Sequence, residues 1–384
     1  MISPGSPPSG GGIGAYTDKT ARALAGFGHE VHVIVPGSSR LTTELVDGVQ
    51  IHRVPSPSVR PRALARSWVV SRTLHHLGRL DVVQACEWGG EAWWYSLRAG
   101  GKLVTRLATP HFVIDAHDRA AGRRPPVALV RRWLERSQTR RSARVISPSR
   151  VLADEVSQRW RLSPGAVTIV PTGIQTPRAD AARLPASLRG LDYVLYFGRL
   201  ERRKGVDTWI EALPTVLKSH PEIHAVFVGE DLGMQGRPFA DIARERCGDQ
   251  WARLHFLPAA TQNHLFPIVA GASLVVMPSR FESLANACLE AMVLGRTVVA
   301  TEGTGLAEMI TDSVDGFLVA PGDSTALAQK VDKALDDPAL LARIGRAAQR
   351  RAADFDLDLM VERLVGVYED IAGPRALAAS GLSA

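Results

Sequence analysis

Apolar and polar positions run through this chain with two alternating periods. Residues 16–28 carry Ala21, Leu24, Ala25 and Phe27 at helical spacing and stop at Gly28. Val31-His32-Val33-Ile34-Val35 then reads as a strand. Further strands are expected at 49–54, 81–85, 102–107, 144–146 and 167–170, with helices at 63–78, 90–100, 126–142 and 149–160. After a loop-like stretch at 177–190 a second alternation begins. Its strands are expected at 193–197, 223–228, 254–257, 274–277, 298–300 and 316–319, and its helices at 206–217, 239–247, 284–294 and 324–335. Strands alternating with helices predict an α/β class with mainly parallel sheets. Two such halves in tandem predict a ligand cleft between them, faced by the carboxyl ends of the strands.

Composition narrows the class. A chain of 384 residues predicts about two domains. With 45% hydrophobic and 22% charged residues it is neither a disordered tail nor a collagen-like or disulfide-stapled scaffold. The three cysteines, Cys86, Cys247 and Cys288, form no CxxC pair, which argues against a disulfide framework or a zinc site and fits a reducing, cytoplasmic setting. The longest apolar stretch, 265–278, is interrupted by Pro267, so no membrane-spanning helix is expected, and the first residues lack a signal-peptide pattern. The net charge of +7 admits nucleic acid, an anionic surface or a phosphorylated ligand. It is unevenly spread: residues 1–177 hold 24 Lys/Arg against 12 Asp/Glu, and residues 178–384 hold 22 against 27.

Three segments carry candidate chemistry. Gly10-Gly11-Gly12-Ile13-Gly14-Ala15 formally fits a dinucleotide fingerprint. Only three residues of strand character precede its loop, however, and the next strand ends in Pro36-Gly37 rather than an acid, so a nicotinamide reading fits poorly in context. The loop still places amides around Gly12 and Gly14 at a helix N-terminus, which suits a phosphate or a closely approached sugar; a plain surface turn is the alternative. The second segment runs from Phe197 to Gly205, between a strand and a helix. Arg199 and Lys204 are candidate clamps for a diphosphate, one a planar fork and the other a point charge, and a solvated basic turn is the alternative. The third runs from Pro278 to Met292 and holds Glu282 and Glu290 with seven residues between them. A fully helical span would separate them by about 12 Å, too far for a hydrolytic carboxylate pair. The preferred picture puts Glu282 just before the helix and Glu290 two turns in, on different parts of one elongated ligand. Ser283 is expected to cap that helix, and the amides of Ser283, Leu284 and Ala285 to hold a phosphate.

Together these segments resemble the retaining GT-B glycosyltransferases of family GT4, over most of the chain. Gly11–Gly14 matches the family's G-G-x-G loop. Gly198, Arg199, Lys204 and Gly205 match G-R-x-x-x-x-K-G, and Glu282 and Glu290 match E-x7-E. Smaller matches lie at 26–35, 146–149, 170–174, 305–308 and 316–323. The resemblance implies two tandem Rossmann-like domains facing a cleft: an acceptor-side domain at 1–177, a nucleotide-sugar domain at 178–354, and a final helix in 355–384 crossing back to the first. It implies that Arg199 and Lys204 neutralise the leaving diphosphate, that Glu290 binds the ribose hydroxyls and Glu282 the transferred sugar, and that Gly12, Gly14 and Gly198 line the donor. The donor is a nucleotide sugar, UDP-linked before GDP-linked. The acceptor is a hydroxyl of a glycan, a lipid-linked sugar or a small molecule, and no metal or other cofactor is required.

Two departures stand out. Arg106-Leu107-Ala108-Thr109-Pro110 places Ala108 where the family usually has a histidine, and His111 or His117 would have to compensate. The family's opening strand is represented only by its last residues, which predicts open ladder positions in a central place of the sheet and a natural start upstream. Residues 119–144 hold nine arginines and one acid, Glu135, with Val127, Val130, Trp133 and Leu134 expected as an apolar stripe. That segment suits a peripheral contact with the inner face of a membrane, the acceptor, or simply a solvated helix face. No nucleic-acid module accompanies the charge. A catalytically silent homologue that binds a nucleotide sugar or a partner, and a sugar-nucleotide epimerase, are the competing functions.

Overall fold

The structure, a computed structural model, describes residues 1–5, 11–59, 61–98, 101–117, 126–176, 180 and 183–373. The chain separates into two compact units. One holds the described segments up to Gly173, His117 excepted, together with those from Leu357 onward; the other holds Ile174–Asp356 with His117.

In the first unit, α1 (Gly11–Gly26) leads into β1 (Val31–Ser38), β2 (Thr42–Val46) and β3 (Val49–Pro55). α2 (Arg62–His76), β4 (Val83–Cys86), α3 (Trp93–Ser96), β5 (Leu103–Arg106) and α4 (His111–His117) follow, and then α5 (Pro126–Arg141), β6 (Arg144–Ser147), α6 (Arg150–Trp160) and β7 (Val167–Ile169). β1 pairs parallel with β3, and β4, β5, β6 and β7 pair in parallel succession. The predicted alternation is therefore present, with differences that have local causes. The glycine-rich run does not stay a loop: Gly11–Gly14 forms the first turn of α1. β2 was not expected. It joins β3 antiparallel through Asp47 and Gly48, both at positive φ (49° and 80°), the Asp-Gly pairing a two-residue hairpin turn needs. The opening residues fill the ladder positions expected to be open. Ile2 bridges β1 and β4, its N–H donating to Gln84 O at 2.8 Å, while Ser3 N–H donates to Ile34 O at 3.0 Å.

The expected apolar stripe on α5 is corrected. Val127 and Trp133 are exposed at 50% and 54%, whereas the buried face is Leu134, Glu135, Gln138 and Thr139. That polar face is tolerated because its groups are satisfied. Gln138 accepts from Ala92 N–H at 2.9 Å and donates to Cys86 O at 3.0 Å. Arg119, at the start of the basic segment, lies outside the described residues.

The second unit comprises β8 (Tyr193–Phe197), α7 (Val206–Ser219), β9 (His224–Val228), α8 (Phe239–Cys247), β10 (Leu254–Leu257) and α9 (Gln262–Gly271), followed by β11 (Leu274–Met277), α10 (Asn286–Val293), β12 (Val298–Thr301), β13 (Phe317–Val319), α11 (Ser324–Leu335) and α12 (Pro338–Ala352). Its six strands are all parallel, in the order β10-β9-β8-β11-β12-β13. All five residues of β8 are buried. A strand covered on both faces reads as a continuous apolar run, which is why Tyr-Val-Leu-Tyr-Phe shows no alternation. One core, around Trp209, Phe227 and Phe239, fills one face of the sheet; the other, around Leu195, Val275 and Leu289, fills the opposite face. α13 (Leu357–Ala372) belongs to the first unit, where Leu357 and Val361 pack with Val31 and Val33.

No described helix is long and apolar enough to cross a membrane. The three cysteines are buried and free.

Candidate functional site

In the second unit, strand order reverses between β8 and β11. From β8 the chain proceeds outward to β9 and β10, then returns to β11 on the other side. In an open parallel sheet, the chains leaving the carboxyl ends on either side of such a reversal lead to helices on opposite faces, here α7 and α10, and ligands bind in the crevice at that point. The two loops that emerge here are the two segments singled out in the sequence.

The loop after β8 is tight. Gly198 N–H donates to Val228 O at 2.9 Å, and Arg202–Lys204 forms one 3-10 turn that ends at Gly205. Gly205 has φ +70°, and a Cβ there would lie 1.8 Å from Pro278 O. A side chain is excluded both by the left-handed backbone and by the neighbouring loop. Tyr196 donates its hydroxyl to Arg199 O at 2.8 Å, fixing that backbone while the Arg199 side chain remains 56% exposed, 3.4 Å from Glu201.

The loop after β11 is stapled to the first one. Arg280 N–H donates to Arg203 O at 2.8 Å, and the Arg280 guanidinium pairs with Asp207 at 2.5 Å and donates to Arg202 O at 2.8 Å. Arg203, itself buried, donates to Phe281 O at 3.2 Å and pairs with Glu201 at 2.5 Å. Thr301 at the end of β12 donates to Ser279 O at 2.6 Å, and Gly305 N–H donates to Glu282 O at 2.8 Å.

These contacts place the Glu282 carboxylate against Lys204 Nζ as an ion pair. Ser279 Oγ adds a hydrogen bond at 3.3 Å. Burial pushes the Glu282 carboxyl up, but Lys204, Arg203 and the hydrogen bonds outweigh it and hold the group below the ordinary glutamate value. Glu290 stands apart, buried on α10, where Gln262 Nε2 donates to it at 3.4 Å. The structure thus unites Arg199, Lys204, Gly198 and Glu282 around two neighbouring loops and gives Glu290 a different partner.

One local expectation fails. Ser283 does not cap the following helix: α10 starts at Asn286 with Ala285 as its N-cap and no side-chain capping bond. The amides of Ser283, Leu284 and Ala285 precede the helix, and Ala285 itself is extended. Just before them, Glu282 gives its carbonyl to Gly305 N–H rather than to a helical turn.

In the first unit, Gly12 and Gly14 lie in the first turn of α1. Ala108 and Thr109 donate their backbone N–H groups to Glu87 at 2.8 and 3.0 Å. Glu87 is fully buried, and that burial, reinforced by the charge of Glu135, pushes its carboxyl up to about 8. His111 Nδ1 meets the Glu135 carboxylate, which also accepts Gly89 N–H at 3.0 Å and His111 N–H at 3.2 Å. The imidazole stacks on Trp88 with centroids 3.9 Å apart. One ring nitrogen is therefore held by a buried carboxylate, and the ring plane by an indole, which orients Nε2. Neither Glu87 nor Glu135 was among the candidates from sequence. Glu87 follows directly on β4, a strand-end position that could have marked it; Glu135 was visible only as the lone acid among nine arginines.

Among the described residues no group of three or more His, Cys, Asp or Glu side chains converges as a metal site.

Residues 10–178 match the profile of the family described as Glycosyltransferase Family 4, and residues 192–337 that of Glycosyl transferases group 1. The chain is 28% identical to a glycogen synthase of Mycobacterium tuberculosis, over 93% of this chain and 91% of that protein. Among solved structures it resembles sucrose-phosphate synthase from Thermosynechococcus elongatus, with a TM-score of 0.78 and 22% identity over 96% of this chain and 97% of that one. It also resembles Anabaena HepE solved with UDP and glucose, with a TM-score of 0.73 and 18% identity over 95% and 98%.

Proposed function

From its membership of the family 4, group 1 glycosyltransferases with the GT-B fold, we propose that this chain moves a sugar, with retention and without a metal, from a nucleoside-diphosphate sugar to a hydroxyl acceptor. The observation that carries the reading is the pair of stapled loops at the carboxyl ends of β8 and β11, which present Arg199, Lys204 and Glu282 at the reversal of strand order. When the sugar C1–O bond breaks, the electron pair goes to the diphosphate oxygen. Arg199 and Lys204 stabilise that growing charge in place of a metal ion. The acceptor oxygen forms the new bond to C1 on the face the diphosphate leaves, and its proton passes to the departing phosphate.

In this scheme a donor diphosphate competes with Glu282 for Lys204. Binding loosens the ion pair and frees the carboxylate for hydroxyls of the transferred sugar, while Glu290 takes the ribose. The amides of Gly12 and Gly14 suit a phosphate, and His111, oriented by Glu135 and Trp88, serves the acceptor in place of the histidine absent at Ala108. A UDP-linked donor is preferred, in keeping with the UDP and glucose held by HepE. A cytoplasmic setting fits three buried free thiols.

The test is a thermal-shift series with UDP, GDP and their sugars, followed by release of nucleoside diphosphate with and without EDTA. A ligand at 100 times its dissociation constant adds about 2.7 kcal/mol to stability. No shift with any nucleotide would overturn the donor site; loss of turnover in EDTA would overturn the metal-free mechanism. Ala108 favours one second reading, a silent homologue, which would bind UDP-sugars without releasing UDP on any acceptor.

A further inference from the structure

A cavity of about 750 Å³ opens in the first unit among α2, α3 and the residues that lead into β4 and β5. Leu80 and Lys102, which line it, precede those strands, so the cavity lies at the amino ends of the sheet. The loops discussed above leave carboxyl ends, so this cavity is not part of that machinery.

Its lining combines aromatic rings with unbalanced positive charge. Trp68, 48% exposed, and Trp94 border it, and so do Arg72, Arg79, Arg98 and Lys102. None of its lining residues is acidic, and none of these four cations has an ion pair among the described residues. Arg72 sits over the Trp68 ring at 5.0 Å, and Lys102 Nζ donates to Leu80 O at 2.7 Å, which leaves further donors on both. Four cations border one recess, Arg72, Arg79 and Arg98 with exposed side chains; they repel one another, and an anion entering the recess relieves that repulsion. An exposed indole beside them offers an apolar platform with a polar edge, suited to the C–H face of a sugar ring. The size is that of a small-molecule site.

We propose that this cavity is a second saccharide site, separate from the donor site, and that it takes a sugar carrying a phosphate or carboxylate. The ring lies against Trp68 while the anion is held by Arg72 and Arg98. The concave shape, rather than a flat basic face, favours a compact anionic sugar over an extended lipid surface.

The experiment is saturation-transfer NMR and calorimetry with glucose 6-phosphate, glucose and inorganic phosphate. The proteins are the full chain, the Arg72→Ala/Arg98→Ala variant, Trp68→Ala and Arg199→Ala. All but Trp68 alter exposed charged groups, and Trp68 is half exposed, so circular dichroism should confirm an intact fold in each. The expected result is that glucose 6-phosphate binds about tenfold tighter than glucose or phosphate alone. Both cavity variants should weaken it by a similar factor, and Arg199→Ala should leave it unchanged. Equal binding of phosphate and glucose 6-phosphate would reduce the cavity to a general anion patch and overturn the proposal. Loss of binding in Arg199→Ala, or none in the cavity variants, would place the ligand in the donor site and overturn it equally.

Discussion

Lys204 and Glu282 come from segments 78 residues apart, yet their side chains are 21% and 8% exposed and form one ion pair. Removing one partner of a buried pair costs about 3–5 kcal/mol, because the other charge is left desolvated and unpaired. Lys204 keeps some contact with water, and Ser279 keeps its hydrogen bond to Glu282, so Lys204→Met should cost roughly 2–3 kcal/mol. Glu282→Gln preserves shape and should cost less. Adding it to Lys204→Met should recover part of the loss, since an unpaired neutral amide costs less to bury than an unpaired carboxylate. Urea unfolding of the four proteins then yields a coupling energy expected at about 1.5 kcal/mol. The pH dependence has a definite sign. The folded Glu282 carboxyl lies below its ordinary value of 4.5, so its stabilisation is fully present above that value and is lost as pH falls through the folded value. Wild type and Glu282→Gln should therefore converge in acid. A coupling below about 0.5 kcal/mol, or a stability difference indifferent to acid, would show a solvent-screened surface pair and refute the argument.

Three further outcomes follow from the same geometry. Gly205→Ala must place a methyl 1.8 Å from Pro278 O at a φ of +70°, so it should cost more than about 3 kcal/mol and lower the melting temperature by roughly 6 °C or more; a drop under about 2 °C would contradict the packing. Arg199→Ala, at an exposed side chain, should change stability by no more than about 0.5 kcal/mol yet abolish the UDP-induced thermal shift, and a retained shift would remove Arg199 from the donor site. The Glu87 carboxyl, observed by 13C NMR, should titrate near 8 rather than near 4.5. Because the folded state then holds a proton that the unfolded state has released, its contribution should fall as pH rises from about 5 to 8, and a midpoint below about 6 would show that the Ala108 and Thr109 amides dominate over burial.

Much of this molecule was legible before its structure. Two α/β halves follow from periodicity because parallel strands buried on both faces need apolar runs, and their crossover helices need one apolar side. The loops carrying Arg199, Lys204 and Glu282 were legible as glycine- and charge-bearing breaks between such runs. The β2–β3 hairpin was missed although Asp47-Gly48 announces it, because Thr42–Val46 is largely exposed and shows no apolar alternation.

What the chain's order of residues determined by itself is the local part: where most of the strands and many of the helices fall, and which residues reach the ends of β8 and β11. Only the tertiary structure decided which charges meet. Lys204 finds Glu282, and Arg280 finds Asp207, across more than 70 residues. The inward face of α5 is polar because Ala92, Cys86 and Gly89 supply its partners from 46 to 52 residues away. The cost of burying Glu135 and Gln138 depends on those distant donors and acceptors, and periodicity, which ranks positions by hydrophobicity alone, holds no information about them.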